Sequence, residues 1–272
     1  MRSLWSGQLR FLGLIPMPHS LFISDLHLSA DQPRAMAEFR HFVTAIAPHA
    51  DALYILGDLF EYWAGDDDLS DPFHAEVVAA LSGLAHHQTL VYLQRGNRDL
   101  LMGQHLAAAC QATLLDDPTL VDLYGTPTLL THGDMLCTDD IEYQRYRKMV
   151  HDEEFQRLFL SKPLDERKDY IAGLRLRSMV EKESKDSAIM DVNEEAVEAM
   201  LREFQYPRMI HGHTHRPSRH EHLVDGHRCI RWVLADWSEE GSALRVDAMG
   251  CNMILFSPGS VDGPALPKTG LF

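Results

Sequence analysis

The sequence predicts an α/β fold: a sandwich of two mixed β-sheets flanked by helices, with a helical cap inserted into it. Three observations predict it. The first half alternates short apolar runs with helical patterns, the last quarter holds short strands separated by turn residues, and a long block between them has helical periodicity and no strand signal. In order along the chain, Leu21 to Ser24 reads as a strand, Pro33 to Ile46 as a helix and Ala52 to Leu56 as a strand. Pro72 to Leu84 then reads as a helix, Thr89 to Leu93 as a strand and Leu100 to Cys110 as helical. Leu120 to Tyr124 and Thr128 to Thr131 flank Gly125-Thr126-Pro127, which predicts a hairpin. Ile141 to Phe204 is the helical block, divided into three or four helices by Pro163 at a helix start and by Asp191 or Asn193 as an N-cap. Arg228 to Leu234, Ala243 to Asp247 and Asn252 to Phe256 close the chain as strands of a second, mostly antiparallel sheet.

These elements divide the 272 residues into an extension expected to be disordered (1–19), a core (20–140 and 205–272) and a helical lid (141–204). The extension carries Arg2, Arg10 and an apolar patch from Phe11 to Ile15. That patch is too brief for a secretory core and is broken by Pro16 and Pro18, so Met17 could be the natural start.

With 45% hydrophobic residues the chain can bury a real core. Its net charge of -15 repels nucleic-acid backbones at long range, so no nucleic-acid partner is expected. The four cysteines, Cys110, Cys137, Cys229 and Cys251, form no C-x-x-C pair, which argues against a disulfide scaffold or thiolate zinc site and suits a cytoplasmic location. No apolar run approaches the roughly 20 residues needed to cross a bilayer.

Five polar clusters follow short apolar runs, the last four each containing a glycine: Ser24-Asp25-Leu26-His27, Gly57-Asp58, Gly96-Asn97-Arg98-Asp99, Thr131-His132-Gly133-Asp134 and His211-Gly212-His213-Thr214-His215. The C-terminal ends of strands are where open α/β sheets place their sites. Asp25 and His27 alternate, as do His213 and His215, so each pair can converge on one ion. Carboxylate, imidazole and amide oxygen together suit manganese, iron or zinc better than calcium. Two such ions, roughly 3.5–4 Å apart, can activate water and polarise a phosphoryl oxygen. Any single cluster would pass for a turn former or a hydrogen-bonded core histidine; five in this order would not.

Read in this order, D-x-H, G-D, G-N, H-G-D and G-H-T-H resemble the calcineurin-like metallophosphoesterase family over Leu21 to roughly Phe256. The resemblance implies that Asp25, His27 and His215 hold one ion, Asn97, His132 and His213 the other, and Asp58 bridges them. Asp58, Asn97, Arg98 and His132 would be the catalytic set. His211 has no ligand role in that pattern and is expected to be structural. Most members carry histidine where Arg98 stands. An always-charged guanidinium can clamp phosphate but cannot give up a proton at neutral pH, which favours a phosphoanhydride, whose leaving group departs as a phosphate.

Gly96-Asn97-Arg98-Asp99, Gly57 to Asp67, Cys137-Thr138-Asp139-Asp140 and Ser187 to Asn193 further resemble the branch of the family that acts in lipid A biosynthesis. That resemblance implies water attack at the α-phosphorus of UDP-2,3-diacylglucosamine, giving UMP and 2,3-diacylglucosamine 1-phosphate, with two Mn2+ ions as cofactor or other divalent ions in their place. Asn97, Arg98, Asp140, Ser178, Lys182, Lys185 and His213 would then contact substrate. A phosphoesterase acting on another nucleotide or phosphodiester would share every ligand, whereas a non-enzymatic scaffold of this fold would be expected to have lost some.

Residues 141–185 hold eleven Lys and Arg against nine acids, inside a chain of strongly negative charge. Phe155, Leu158, Phe159, Ile171, Leu174, Leu176, Met179 and Val180 give the block apolar faces. An ordinary amphipathic lid explains this. So does a cap attracted to the anionic cytoplasmic face of the inner membrane, which the resemblance favours. No obligate protein partner is evident. His220, His222 and His227 are expected in an exposed loop, and Asp66-Asp67-Asp68 in a solvated loop with capping roles.

Overall fold

The computed structural model describes residues 17–184, 187–238 and 240–257, with backbone alone for 177–184 and 187–188. Residues 1–16 of the expected extension lie outside it, and His19 already belongs to the first strand, β1 (His19–Ile23). There follow α1 (Pro33–His41), β2 (Ala52–Leu56), α2 (Pro72–Gly83), β3 (Leu90–Gln94), α3 (Gln104–Ala109) and β4 (Ala112–Leu115). Next come β5 (Thr119–Leu123), β6 (Thr126–Thr131), α4 (Ile141–Val150), α5 (Glu153–Leu160), α6 (Leu164–Ser184) and α7 (Glu194–Glu203). The chain closes with β7 (Arg208–His211), β8 (Ser218–Val224), β9 (His227–Val233), β10 (Gly241–Asp247) and β11 (Gly250–Phe256).

The strands form two mixed sheets, ordered β11-β10-β1-β2-β3-β4 and β5-β6-β7-β9-β8. Within the first, β1 to β4 run parallel and β10 pairs antiparallel with β1, Leu21 opposite Arg245. Side-chain period two sorts β1 and β2 between two cores. Leu21, Ile23, Leu53 and Ile55 pack outward with residues of α1 to α3, while Phe22, Tyr54 and Leu56 face Leu130 and Ile210 of the second sheet. Phe22, Tyr54 and Tyr92 stack across three neighbouring strands at 4.6 Å spacing and stiffen that inner face. On the far side, Val197 and Leu201 of α7 pack with Leu129, Met209 and Val224 of the second sheet. The layers are therefore helix, sheet, sheet, helix.

Several expectations are corrected. The closing strands do not make one sheet: β9 joins the second, but β10 and β11 extend the first. β10 carries apolar side chains on both faces, Ala243 outward and Leu244 and Val246 inward, so it needs a covered position beside β1. His220, His222 and His227 lie on the paired strands β8 and β9 rather than in a loop. Asp225-Gly226, both at positive φ (50° and 84°), makes the tight turn between those strands. Helix α1 gives way at Phe42 to a wider turn, Phe42–Ile46, and the helix expected from Leu100 begins only at Gln104. Strands β4, β7 and β8 were not expected from the sequence. Asn193 caps α7, accepting from the Ala196 N–H at 3.0 Å. Helix α7, expected within the lid, packs on the second sheet, whereas residues of α4, α5 and α6 line the cavity over the strand ends.

The Asp66-Asp67-Asp68 segment is not a solvated loop. Asp66 accepts from the N–H groups of Gly103, His105 and Leu106, capping α3, as a capping role requires. Asp68, however, is 1% exposed and meets Lys168 Nζ of α6 at 2.6 Å. Its neighbour Asp67 pairs with the buried guanidinium of Arg167, which also donates to the Ala64 carbonyl.

Candidate metal centre

Each parallel strand β1, β2, β3, β6 and β7 ends in one of the polar clusters, so the strands deliver their side chains to one edge of the sandwich. Asp25, His27, Asp58, His213 and His215 all adopt left-handed backbone, with φ of 56°, 49°, 53°, 67° and 54°. Such conformers cost of order 1–3 kcal/mol each and persist only where the surroundings impose them. Here the Asp25 and His27 N–H groups donate to the Gly57 and Asp58 carbonyls at 3.1 and 3.0 Å. The fully buried Asp99 carboxylate accepts from the N–H groups of Gly96, Asp58, Leu59 and Phe60, locking the β2 and β3 loops together. Burial, aided by the charge of Asp58, pushes Asp99 up to about 6.

The side chains converge in two groups, Asp25 with His27 and His215, and Asp25 with Asp58 and His132, the ligand atoms of each lying within 4.8 Å of one another. His27 Nε2 lies 3.4 Å from His215 Nε2 and 3.8 Å from Asp58 Oδ2. His132 Nε2 lies 3.8 Å from Asp58 Oδ1 and 3.1 Å from Asn97 Oδ1. The Asp58 carboxylate thus stands between the two groups. Its Oδ1 accepts from the Arg98 N–H at 2.8 Å. His213 meets His132 edge-on, ring centres 5.0 Å apart, and stacks on Tyr143 of α4. His211 is turned away: it is buried, its Nδ1 donating to the Gly212 carbonyl and its Nε2 accepting from Arg231.

Three imidazoles have the far nitrogen against an oxygen. His27 Nδ1 is 3.1 Å from Glu61 Oε2, His132 Nδ1 donates to the Leu56 carbonyl at 2.9 Å, and His215 Nδ1 is 3.5 Å from Asp236 Oδ2. The His132 contact is a hydrogen bond and the other two stand at ion-pair distance, His27 Nδ1 making no hydrogen bond; a partner on the far nitrogen is how proteins orient metal-binding histidines, leaving Nε2 free to coordinate. The carboxylates supply a matching field. Burial opposes charge on His132, yet Asp58, Asp25 and Asp134 hold it up at about 9. Burial would raise Asp25 too, but His215, His132 and His27 keep it well below the usual carboxylate range. His213, by contrast, is pushed down to about 3 by burial and His132. Asp25 Oδ1 is buried with no hydrogen bond. An unsatisfied carboxylate oxygen among imidazoles and a second carboxylate fits divalent cations.

Two glycines make the convergence possible. A methyl group on Gly96 would run into the Asp58 carboxylate and backbone N, and one on Gly212 into Ser24 Oγ and the Asp25 carboxylate. Gly96→Ala is expected to lower divalent-metal affinity at least about tenfold and stability by about 1–3 kcal/mol, read by metal titration and by thermal melting.

A cavity of about 570 Å3 opens on this cluster. Its lining combines the polar residues His27, Asp58, Asn97, Arg98, His213 and His215 with apolar side chains of the body, among them Trp63 and Leu101, and of the lid, among them Phe155, Phe159 and Leu174. The Arg98 guanidinium faces it and makes no ion pair or hydrogen bond among the described residues. Of the other expected substrate contacts, Asp140 lines the cavity while capping α4 through the Tyr143 N–H at 3.0 Å. The side chains of Ser178, Lys182 and Lys185 lie outside the described residues.

Sequence reasoning passed over Glu61, Asp99, Asp134 and Tyr143. Tyr143 Oη and Arg147 Nε donate to Asp134 Oδ2 at 2.7 and 2.8 Å, fastening α4 beside His132. Burial would raise Asp134, but His132, Arg147 and His213 hold it at about 2. Asp99 and Asp134 each stand two residues after an expected ligand, a signal that could have found them.

Two facing mixed sheets whose parallel strands deliver carboxylate, imidazole and amide groups to one edge define a metal-dependent phosphoesterase. The sequence profile of calcineurin-like phosphoesterases matches residues 19–217, and the chain belongs to that family. It is 51% identical over 231 residues to UDP-2,3-diacylglucosamine hydrolase of Aromatoleum aromaticum, covering 85% of this chain and 94% of the relative. The enzymes of that name from Edwardsiella ictaluri and Escherichia coli are 48% and 45% identical, over 86% and 87% of this chain and 91% and 98% of their own lengths.

Proposed function

We propose that this chain hydrolyses the pyrophosphate bond of UDP-2,3-diacylglucosamine, giving UMP and 2,3-diacylglucosamine 1-phosphate (lipid X) in lipid A biosynthesis. The observation that carries the reading is the single cavity that joins the polar cluster and Arg98 to an apolar chamber under the lid. One end suits a pyrophosphate and the other two acyl chains, and the names of the relatives point to the same substrate.

Asp25, His27, Asp58 and His215 would hold one divalent ion and Asp58, Asn97, His132 and His213 a second; manganese suits this set. When bound, such ions supply Lewis acidity and an activated water nucleophile. The protein's own residues do the rest. Arg98 clamps the phosphoryl oxygens as charge develops on them. Glu61, the Leu56 carbonyl and Asp236 keep the histidine rings turned toward the cluster. Trp63, Phe155 and Phe159 keep water from the acyl chains, and Asp140, Ser178, Lys182 and Lys185 contact the remainder of the substrate. The lid comprises α4 to α6, residues 141–184, and the body carries the rest.

No helix among the described residues is long and apolar enough to cross a membrane. The lid exposes Ile141, Met149, Leu158, Tyr170 and Leu176, a surface that supports peripheral attachment to the cytoplasmic face of the inner membrane. Each buried methylene contributes about 0.8 kcal/mol, so removing both acyl chains from the UDP-sugar is expected to lower kcat/KM at least about 100-fold in a UMP-release assay. Equal rates on acylated and deacylated substrate would overturn the assignment.

A further inference from the structure

We propose that Glu61 is a positioning residue that ties the lid to the metal centre, one carboxylate oxygen fixing the His27 ring and the other held by Arg175 of α6. Glu61 Oε2 lies 3.1 Å from His27 Nδ1, an ion-pair contact without the alignment of a hydrogen bond, and Glu61 Oε1 lies 2.8 Å from an Arg175 terminal nitrogen. Arg175 also sits over the Tyr62 ring, 5.9 Å from its centre, which limits where the guanidinium can go. The backbone beneath Glu61 is equally fixed: its N–H donates to the Leu28 carbonyl at 3.0 Å, next to His27 in the chain.

Glu61 is not placed to coordinate an ion. Its near oxygen meets the nitrogen of His27 opposite Nε2, and Nε2 is the atom that faces His215 and Asp58. A carboxylate in that position sets the tautomer and orientation of a coordinating imidazole and makes it a better donor. What this chain adds is the anchor at the other end. The carboxylate has two partners, one in the body and one in the lid, so the rotamer that suits His27 is stabilised when α6 is docked. Arg175 and His27 both line the cavity. Occupancy of the chamber under α6 and the geometry of the metal site are therefore coupled through one side chain.

The inference rests on the reading of His27 as a metal ligand, and the experiment separates the two. Mn2+ is titrated calorimetrically into full-length, metal-stripped protein without substrate. Glu61→Gln, nearly isosteric, is expected to bind Mn2+ at least about tenfold more weakly. Arg175→Met, on the half-exposed face of a helix, is expected to weaken binding about threefold although Arg175 touches no ligand. In a double variant the Arg175 change is expected to add nothing, because its path runs through Glu61. Wild-type affinity in either single variant, or full additivity in the double, would overturn the relay. Failure of the wild-type protein to bind Mn2+, or unchanged binding in His27→Ala, would instead overturn the ligand assignment.

Discussion

Replacing Asp58 by alanine is expected to lower turnover of the acylated UDP-sugar by at least about three orders of magnitude, the scale of charge stabilisation that a clamped pair of ions provides. Asp58 stands between imidazoles of both groups, 3.8 Å from His27 on one side and 3.8 Å from His132 on the other. The loop that carries it keeps most of its ties without that side chain, since Asp99 holds the backbone N–H groups of residues 58, 59 and 60 and only the Arg98 N–H loses its acceptor. The variant should therefore keep its circular-dichroism spectrum while losing activity, and added Mn2+ should not restore it. Metal-stripped wild-type protein should be equally inactive and fully restored by refilling. Retention of more than a tenth of wild-type activity by the variant would remove Asp58 from the centre.

The second large effect is expected at Arg98. Arg98→Ala should lower kcat about 100- to 1000-fold, the usual consequence of deleting one donor aimed at developing charge. The structure makes this a clean substitution. The backbone N–H of residue 98 supports Asp58 at 2.8 Å and survives in alanine, so Mn2+ affinity should change little. The guanidinium itself has no ion pair or hydrogen bond among the described residues, so its removal leaves no protein group stranded. Arg98→Lys should recover only part of the loss, because a point charge cannot reproduce a planar fork of donors. Unchanged kcat in Arg98→Ala, measured at saturating substrate, would assign phosphate clamping to another residue.

The polar clusters were legible in the sequence because five of them, each short and following an apolar run, recur in one order, although any one alone would pass for a turn. Strand β2 was legible to the residue, its five side chains all buried between helix layer and second sheet. Strands β4 and β7 were not: four residues each, Ala112–Leu115 and Arg208–His211, give too little pattern to set a period. The placement of β10 was hidden because chain order says nothing about which sheet a late strand joins. The destination of the lid's charges was hidden for a different reason. Its excess of cations suggested attraction to anionic headgroups, yet Arg147, Arg167, Lys168 and Arg175 turn toward Asp134, Asp67, Asp68 and Glu61 of the body. A helix face that clamps a carboxylate and one that faces solvent have the same sequence. Under the proposed peripheral attachment, contact with a bilayer would fall to the exposed apolar side chains and to the basic residues that remain, and attachment is expected to be less sensitive to salt than the charge count suggests.

The division of the ligands between the sheets also bears on how the molecule matures. Asp25, His27, Asp58 and Asn97 hang from the first sheet, and His132, His213 and His215 from the second; the outermost of these, Asp25 and His215, lie 3.4 Å apart in space. A nascent chain cannot assemble this set until β7 has emerged and docked against β6. If these residues hold the ions as proposed, metal acquisition is expected to be a late event that requires strands of both sheets to have met.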